Sequence, residues 1–176
     1  IETKCNALYQ YTKESLQKLK DAGVDVGMVQ IGNETNGALC GEYATMVGGW
    51  KRIMQMISAG SKAVREVCPK ALVAVHFTNP EKPETYVSYS KNLDDHQVDY
   101  DVFASSYYPS WHGTLDNLAE VLSNIANTYD KKVMVAETSY AFTSADTDFF
   151  ANTIGSGSQI TGYPFSQQGQ ADLVRD

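Results

Sequence analysis

Four times along the chain an apolar, β-rich run ends in a polar string and is joined to the next by a stretch of helical character. The runs fall at residues 24–32, 71–77, 100–107 and 133–140. Continuous apolar runs of this length, bounded by turn residues, predict strands buried on both faces, as in parallel sheets. Between them, Leu8, Tyr11, Leu16 and Leu19 predict a helix over 3–21, which Gly23 can close in the left-handed conformation. Tyr43, Met46, Val47, Trp50, Ile53, Met54 and Ile57 fall at i, i+3, i+4, i+7, i+10, i+11 and i+14, one apolar helical face that reads as core. Residues 81–97 carry a weaker helical signal, and Leu118, Leu122, Ile125 and Tyr129 form another stripe. Residues 141–166, rich in Gly, Ser, Thr and Asp, predict a long loop, and a helix begins at Gln167.

Alternating strands and helices imply parallel βαβ units, arranged as an open doubly wound sheet or as a (β/α)₈ barrel. No G-x-G-x-x-G or Walker loop favours the first. The polar residues at the strands' C-terminal ends favour the α/β barrel, whose active site is built there. They are Asn33 and Glu34 after the first run, His76 in the second, Tyr107, Tyr108, Trp111 and His112 after the third, and Glu137 and Ser139 in the fourth. Four strands make half a barrel. The expectation is therefore a single partial catalytic domain over residues 1–176, lacking the N-terminal strands and the last strand.

Glu34 and Glu137 are 103 positions apart, about three βα units at roughly 31 residues per unit of a ~250-residue barrel. Strands three apart face one another obliquely across the mouth, so both carboxyls can approach one bound sugar. Glycoside hydrolysis needs such a pair, one carboxyl protonating the leaving oxygen while the other attacks or activates water. The surrounding aromatic and hydrogen-bonding groups suit a sugar site. Serine hydrolysis is disfavoured, because Ser139 is not in a G-x-S-x-G elbow.

Composition narrows the partners. With 21 acidic against 14 basic residues the net charge is −7, and no Lys/Arg cluster tracks a phosphate backbone, which argues against nucleic acid or an anionic membrane. No apolar run approaches the roughly 20 residues of a membrane span. The chain starts at Ile1 without a signal-peptide pattern, so either an export signal has been removed or the chain is a fragment. Cys5, Cys40 and Cys68 have neither C-x-x-C spacing nor an even count and leave the redox compartment open. Asp146, Asp148 and Asn152 offer hard oxygen donors at short spacing, compatible with calcium and equally with a solvated loop.

The strings Val-Gln-Ile-Gly-Asn33-Glu34-Thr-Asn-Gly, Phe-Ala-Ser-Ser-Tyr107-Tyr108-Pro-Ser-Trp111-His112-Gly and Val-Ala-Glu137-Thr-Ser139-Tyr resemble glycoside hydrolase family 53, the endo-β-1,4-galactanases. Asn-Glu and the second Glu are shared with a wider clan of retaining barrel glycosidases, whereas the other two strings point to this family. The resemblance implies a TIM barrel of which the chain covers about the fourth to seventh strands. It implies Glu34 as acid/base, Glu137 as nucleophile, Asn33 bonded to the sugar 2-hydroxyl, and Tyr107 contacting or orienting the nucleophile. His76, Tyr108, Trp111, His112 and Ser139 join Asn33 and Tyr107 as substrate-binding candidates. It also implies a secreted enzyme acting on β-1,4-galactan side chains of pectin, with no organic cofactor. Structural Ca²⁺ is implied at Asp146-x-Asp148-x-Phe-x-Asn152, where Phe150 stands in place of a His of the family pattern. Two alternatives stay open, a clan relative acting on mannan or cellulose and a non-catalytic carbohydrate-binding half barrel. Exposed sheet edges would favour self-association.

Overall fold

The computed structural model describes residues 1–176, the side chain of Ser156 excepted. Helix α1 (Glu2–Asp21) ends at Gly23, whose φ of +79° lets the Val24 amide turn back to the Leu19 carbonyl. Strand β1 (Met28–Ile31) follows, then a small hairpin of β2 (Ala38–Leu39) and β3 (Glu42–Tyr43), and helix α2 (Gly49–Val67). The remaining units are β4 (Leu72–Phe77) with α3 (Pro83–Asp95), β5 (Val102–Ser106) with α4 (Leu115–Tyr129), and β6 (Lys132–Glu137), which a long loop joins to α5 (Gln167–Arg175).

The main sheet has the order β1-β4-β5-β6, with every neighbouring pair parallel. Successive strands lie side by side with no reversal of order, so the sheet lacks the switch point of a doubly wound fold. Helices α1 to α4 pack each on the next in a row, as on the outer wall of a (β/α)₈ barrel. The fold is a part of such a barrel, as its sequence implied.

Alternation divides the strands between two faces. Ile31, Val75 and Phe103 pair across one face and join the core with Ile53, Met54 and Ile57 of α2, Tyr86 and Leu93 of α3, and Leu122 and Ile125 of α4. Phe77 stacks on Tyr89 at 4.6 Å and on Phe103 at 5.0 Å, fixing α3 against the sheet. The opposite face carries Gln30, Ala74, His76, Ala104 and Ser106, the wall of the barrel interior.

The apolar face read from Tyr43 to Ile57 is only partly helical. Residues 43–48 precede α2, and Tyr43, Met46 and Val47 are exposed. Gly48 sits at φ +67°, and a Cβ on Gly49 would lie 2.2 Å from the Tyr43 carbonyl oxygen. The hairpin folds back onto this glycine pair, so α2 starts later than its apolar spacing suggests. In α1 the buried positions are Thr12 and Leu16, while Tyr11 and Leu19 are exposed.

Candidate active site

The candidate residues gather at the C-terminal ends of the four parallel strands. Glu34 lies three residues past β1 and takes φ +45°, unusual for a side chain that is not glycine. The turn is held from below. The Thr35 amide donates to the His76 carbonyl at 2.7 Å, and Asn36 exchanges bonds with the Thr78 backbone, both at 2.9 Å. Glu137 closes β6. Regular alternation after Val133, which faces the helices, would turn Glu137 to that side as well. A register irregularity between Ser105 and Ser106 instead places Glu137 opposite Ser106, on the barrel-interior face.

These two placements bring the carboxylates together. A carboxylate oxygen of each and a ring nitrogen of His76 all lie within 4.8 Å of one another. The Tyr108 hydroxyl donates to Glu137 Oε2 at 2.7 Å, and this bond is the main reason its phenol is held above the usual value. The Ser106 hydroxyl donates to Glu34 Oε1 at 2.6 Å and also meets His76 Nε2 at 2.9 Å. The Glu34 amide donates to His76 Nδ1 at 3.4 Å.

His76 is fully buried, so it presents no surface to a sugar and is not a substrate contact. It is the floor beneath both carboxylates. Burial lowers its pKa, against the opposing pull of Glu137 and Glu34, so the ring is neutral above its ordinary titration range. Its Nδ1 lies 3.9 Å from Glu137 Oε1, a neutral contact in that state. Since both ring nitrogens face protein groups, the trio is poorly suited to hold a metal, although its atoms converge.

The aromatic candidates divide in two. Tyr107 and His112 are buried: the Tyr107 hydroxyl donates to the Gly113 carbonyl at 3.0 Å, and His112 Nδ1 accepts the Tyr108 amide at 3.0 Å. Tyr107, expected to orient or contact Glu137, meets it through its backbone: its amide donates to the Glu137 carbonyl, while the hydroxyl that reaches the Glu137 carboxylate is that of Tyr108. His112 is likewise a support for the loop, too enclosed to contact a sugar. Trp111 is 48% exposed, edge-on to Tyr108 at 6.0 Å, and is free to meet a ligand. Asn33 and Ser139 are exposed beside the two carboxylates in sequence. Ser106 and Asn36 were not singled out from the sequence. Neither carries a signal of its own in the sequence beyond lying near a strand's C-terminal end.

Asp146, Asp148 and Asn152 lie on the exposed loop after β6, outside this constellation. Asp146 Oδ1 accepts the amides of Asp148 and Phe149, and Asp148 Oδ1 accepts that of Phe150. No helix among the described residues is long and apolar enough to cross a membrane.

The model of the family described as glycosyl hydrolase family 53 matches residues 1–176. An endo-beta-1,4-galactanase of Bacillus subtilis (strain 168) is 54% identical over all of this chain, which spans 40% of that protein. An arabinogalactan endo-beta-1,4-galactanase of Cellvibrio japonicus (strain Ueda107) is 33% identical, with 93% of this chain and 45% of that protein covered. The chain thus spans less than half the length of these relatives. Among solved structures, the GH53 catalytic domain of Ignisphaera aggregans aligns with a TM-score of 0.84 at 33% identity, covering 98% of this chain and 48% of that one. A psychrophilic family 10 endo-beta-1,4-xylanase shares the fold alone, with a TM-score of 0.54 at 15% identity over 78% of this chain and 44% of that one.

Proposed function

The chain belongs to glycosyl hydrolase family 53, and from that premise we propose that it carries the acid/base and the nucleophile of a retaining endo-β-1,4-galactanase. In the first step the Glu34 carboxyl protonates the glycosidic oxygen while a Glu137 carboxylate oxygen attacks the anomeric carbon. The aglycone leaves as an alcohol and a covalent glycosyl-enzyme forms. In the second step Glu34, now ionised, takes a proton from water as that water attacks the same carbon and releases Glu137.

The observation that carries this reading is the approach of the two carboxylates to within 4.8 Å. Retaining enzymes hold their carboxyls about 5–5.5 Å apart, whereas inverting ones leave roughly 6.5–9.5 Å for a water. Tyr108 supports the division of labour, since its hydroxyl donates to Glu137 Oε2 and holds that carboxyl in place. Exposed Trp111 supplies an aromatic face for a sugar ring, and Asn33 an amide for a hydroxyl.

The substrate reading, β-1,4-galactan such as the side chains of pectin, is supported by the names of the two galactanase relatives. Secretion belongs to the same proposal, because a polymer of plant cell walls is met outside the cell. Structural calcium at the loop is proposed on donor chemistry. Asp146 and Asp148 each keep one oxygen outside the bonds described, and Asn152 turns its amide nitrogen to Ala145, leaving Oδ1. Self-association is proposed because β1 and β6 each have one edge without a strand partner among the described residues.

The test is digestion of linear β-1,4-galactan by the wild-type protein and by Glu137→Gln, with the product anomer followed by proton NMR. Release of the β-anomer first, abolished by the substitution, is expected. Release of the α-anomer first would overturn the retaining mechanism. Cleavage of mannan or cellulose alone would overturn the substrate, and turnover unaffected by Glu137→Gln would remove the catalytic assignment.

A further inference from the structure

We propose that His76 and Ser106 are positioning residues that confine the exchangeable proton of Glu34 to Oε2, the oxygen open to the cleft. The purpose of the device rests on the hydrolase reading above, whereas its geometry does not.

A backbone amide can only donate, so His76 Nδ1, which receives the Glu34 N–H at 3.4 Å, carries no proton. A neutral imidazole with a bare Nδ1 has its hydrogen on Nε2, and that nitrogen is 2.9 Å from Ser106 Oγ. The serine oxygen therefore accepts from the ring, and its single hydrogen is directed to Glu34 Oε1 at 2.6 Å. Each donor is used once, and the chain runs one way, from His76 through Ser106 to Oε1.

Oε1 is thus an acceptor whether Glu34 is ionised or not. Placing the acid proton on Oε1 would require Ser106 to donate to Nε2 instead. The ring hydrogen would then sit on Nδ1, against the Glu34 amide hydrogen. Oε2 takes no hydrogen bond from the described residues and is not among their buried unpartnered polar atoms, so it keeps access to solvent and is left as the oxygen that gains and loses the proton. An acid whose proton could settle on the inner oxygen would be misdirected for donation to a glycosidic oxygen. The left-handed backbone of Glu34 belongs to this arrangement, because it lets amide and side chain of one residue engage the same His76–Ser106 pair.

The neighbours do not undo it. Facing Glu34 and His76 are Glu137 and Tyr108 at the ends of β6 and β5, with Tyr86 from α3 bonded to Ser105. The two tyrosines are held protonated, and Glu137 lies 3.9 Å from Nδ1. Burial outweighs the pull of that carboxylate and keeps the ring neutral.

Two measurements on the chain without substrate test the proposal. With ¹⁵N-labelled histidine, NMR is expected to find His76 as the Nε2–H tautomer at pH values on both sides of the Glu34 titration. The Nδ1–H tautomer, or a change of tautomer as Glu34 titrates, would overturn the proposal without any variant. With ¹³C-labelled glutamate, Ser106→Ala is expected to move the carboxylate resonance of ionised Glu34, because the hydroxyl that donates to Oε1 is lost. Ser106→Thr, which retains a hydroxyl, should restore it. An unmoved Glu34 resonance in a folded Ser106→Ala would refute the proposal, because a purely structural role would lower the melting temperature and leave that resonance in place. These readouts need no turnover, so a chain that meets them yet leaves galactan intact would remove the functional reading and not this one.

Discussion

Replacing Tyr108 with Phe removes a single oxygen and tests which tyrosine serves the Glu137 carboxylate. The lost bond runs from the phenol to Glu137 Oε2 at 2.7 Å. Hydrogen bonds to charged groups contribute about 1.5–3 kcal/mol net. The Glu137 side chain is 34% exposed, so water can replace part of the bond and the lower end applies. About 1.5 kcal/mol corresponds to roughly a tenfold loss in kcat/KM. Initial rates of reducing-end release from galactan at low substrate read this loss. Tyr107→Phe is the control. Its hydroxyl serves the Gly113 carbonyl, so the variant should melt earlier by about 1 kcal/mol of stability with its kcat/KM nearly unchanged. A larger rate loss in Tyr107→Phe than in Tyr108→Phe would refute the assignment.

Other predictions address the scaffold. Glu42 is almost fully buried, bonded to Arg52 at 2.5 Å and paired with Lys4 at 2.7 Å, and these partners, Arg52 foremost, pull its pKa from 4.5 down to about 2. A depressed carboxylate stabilises the fold above its unfolded value and loses that contribution as pH falls toward the folded one. Thermal melts should show this fall between pH 4.5 and 2 in the wild type, and Glu42→Gln should melt lower at neutral pH with a flatter acid dependence. Millimolar calcium should raise the melting temperature relative to EGTA, and Asp146→Asn with Asp148→Asn should abolish the rise; equal melts with and without calcium in the wild type would exclude the loop as a site. Light scattering should find a dimer that dissociates on dilution, and a monomer at every concentration would show that the edges of β1 and β6 do not pair.

The strand–helix alternation was legible because buried parallel strands and amphipathic helices leave different periods in the sequence. Glu34 and Glu137 were legible because both follow apolar runs at a spacing that a barrel explains. What escaped depends on tertiary contact. The late start of α2 comes from the hairpin seated on Gly49, and apolar spacing cannot register a backbone approach. That Tyr108 and not Tyr107 sends its hydroxyl to Glu137 follows from alternation past the end of β5. Neighbouring tyrosines point to opposite sides, and composition does not say which side is inward. His76 read as a sugar ligand because histidine at a strand end is chemically versatile, but it lies between two other strands' carboxylates and is covered by them. Ser106 is a small residue in a small-residue run and carried no signal of its own.

The sheet itself explains why the site takes one group from each strand. In a flat sheet, β1 and β6 would lie about 14 Å apart, three spacings of roughly 4.8 Å. Yet the carboxylates at their C-terminal ends lie within 4.8 Å of each other, so the curvature of the barrel, with side chains reaching inward from both sides, must close the gap. The two middle strands then supply the floor, with His76 from β4 and Ser106 from β5 filling the space between Glu34 and Glu137. Curvature crowds these floor positions, which accounts for the small Ala74 and Ala104 beside them on the same face. It also excludes water from the ring of His76. The approach that brings the two carboxylates together is thus the same one that keeps the histidine neutral beneath them.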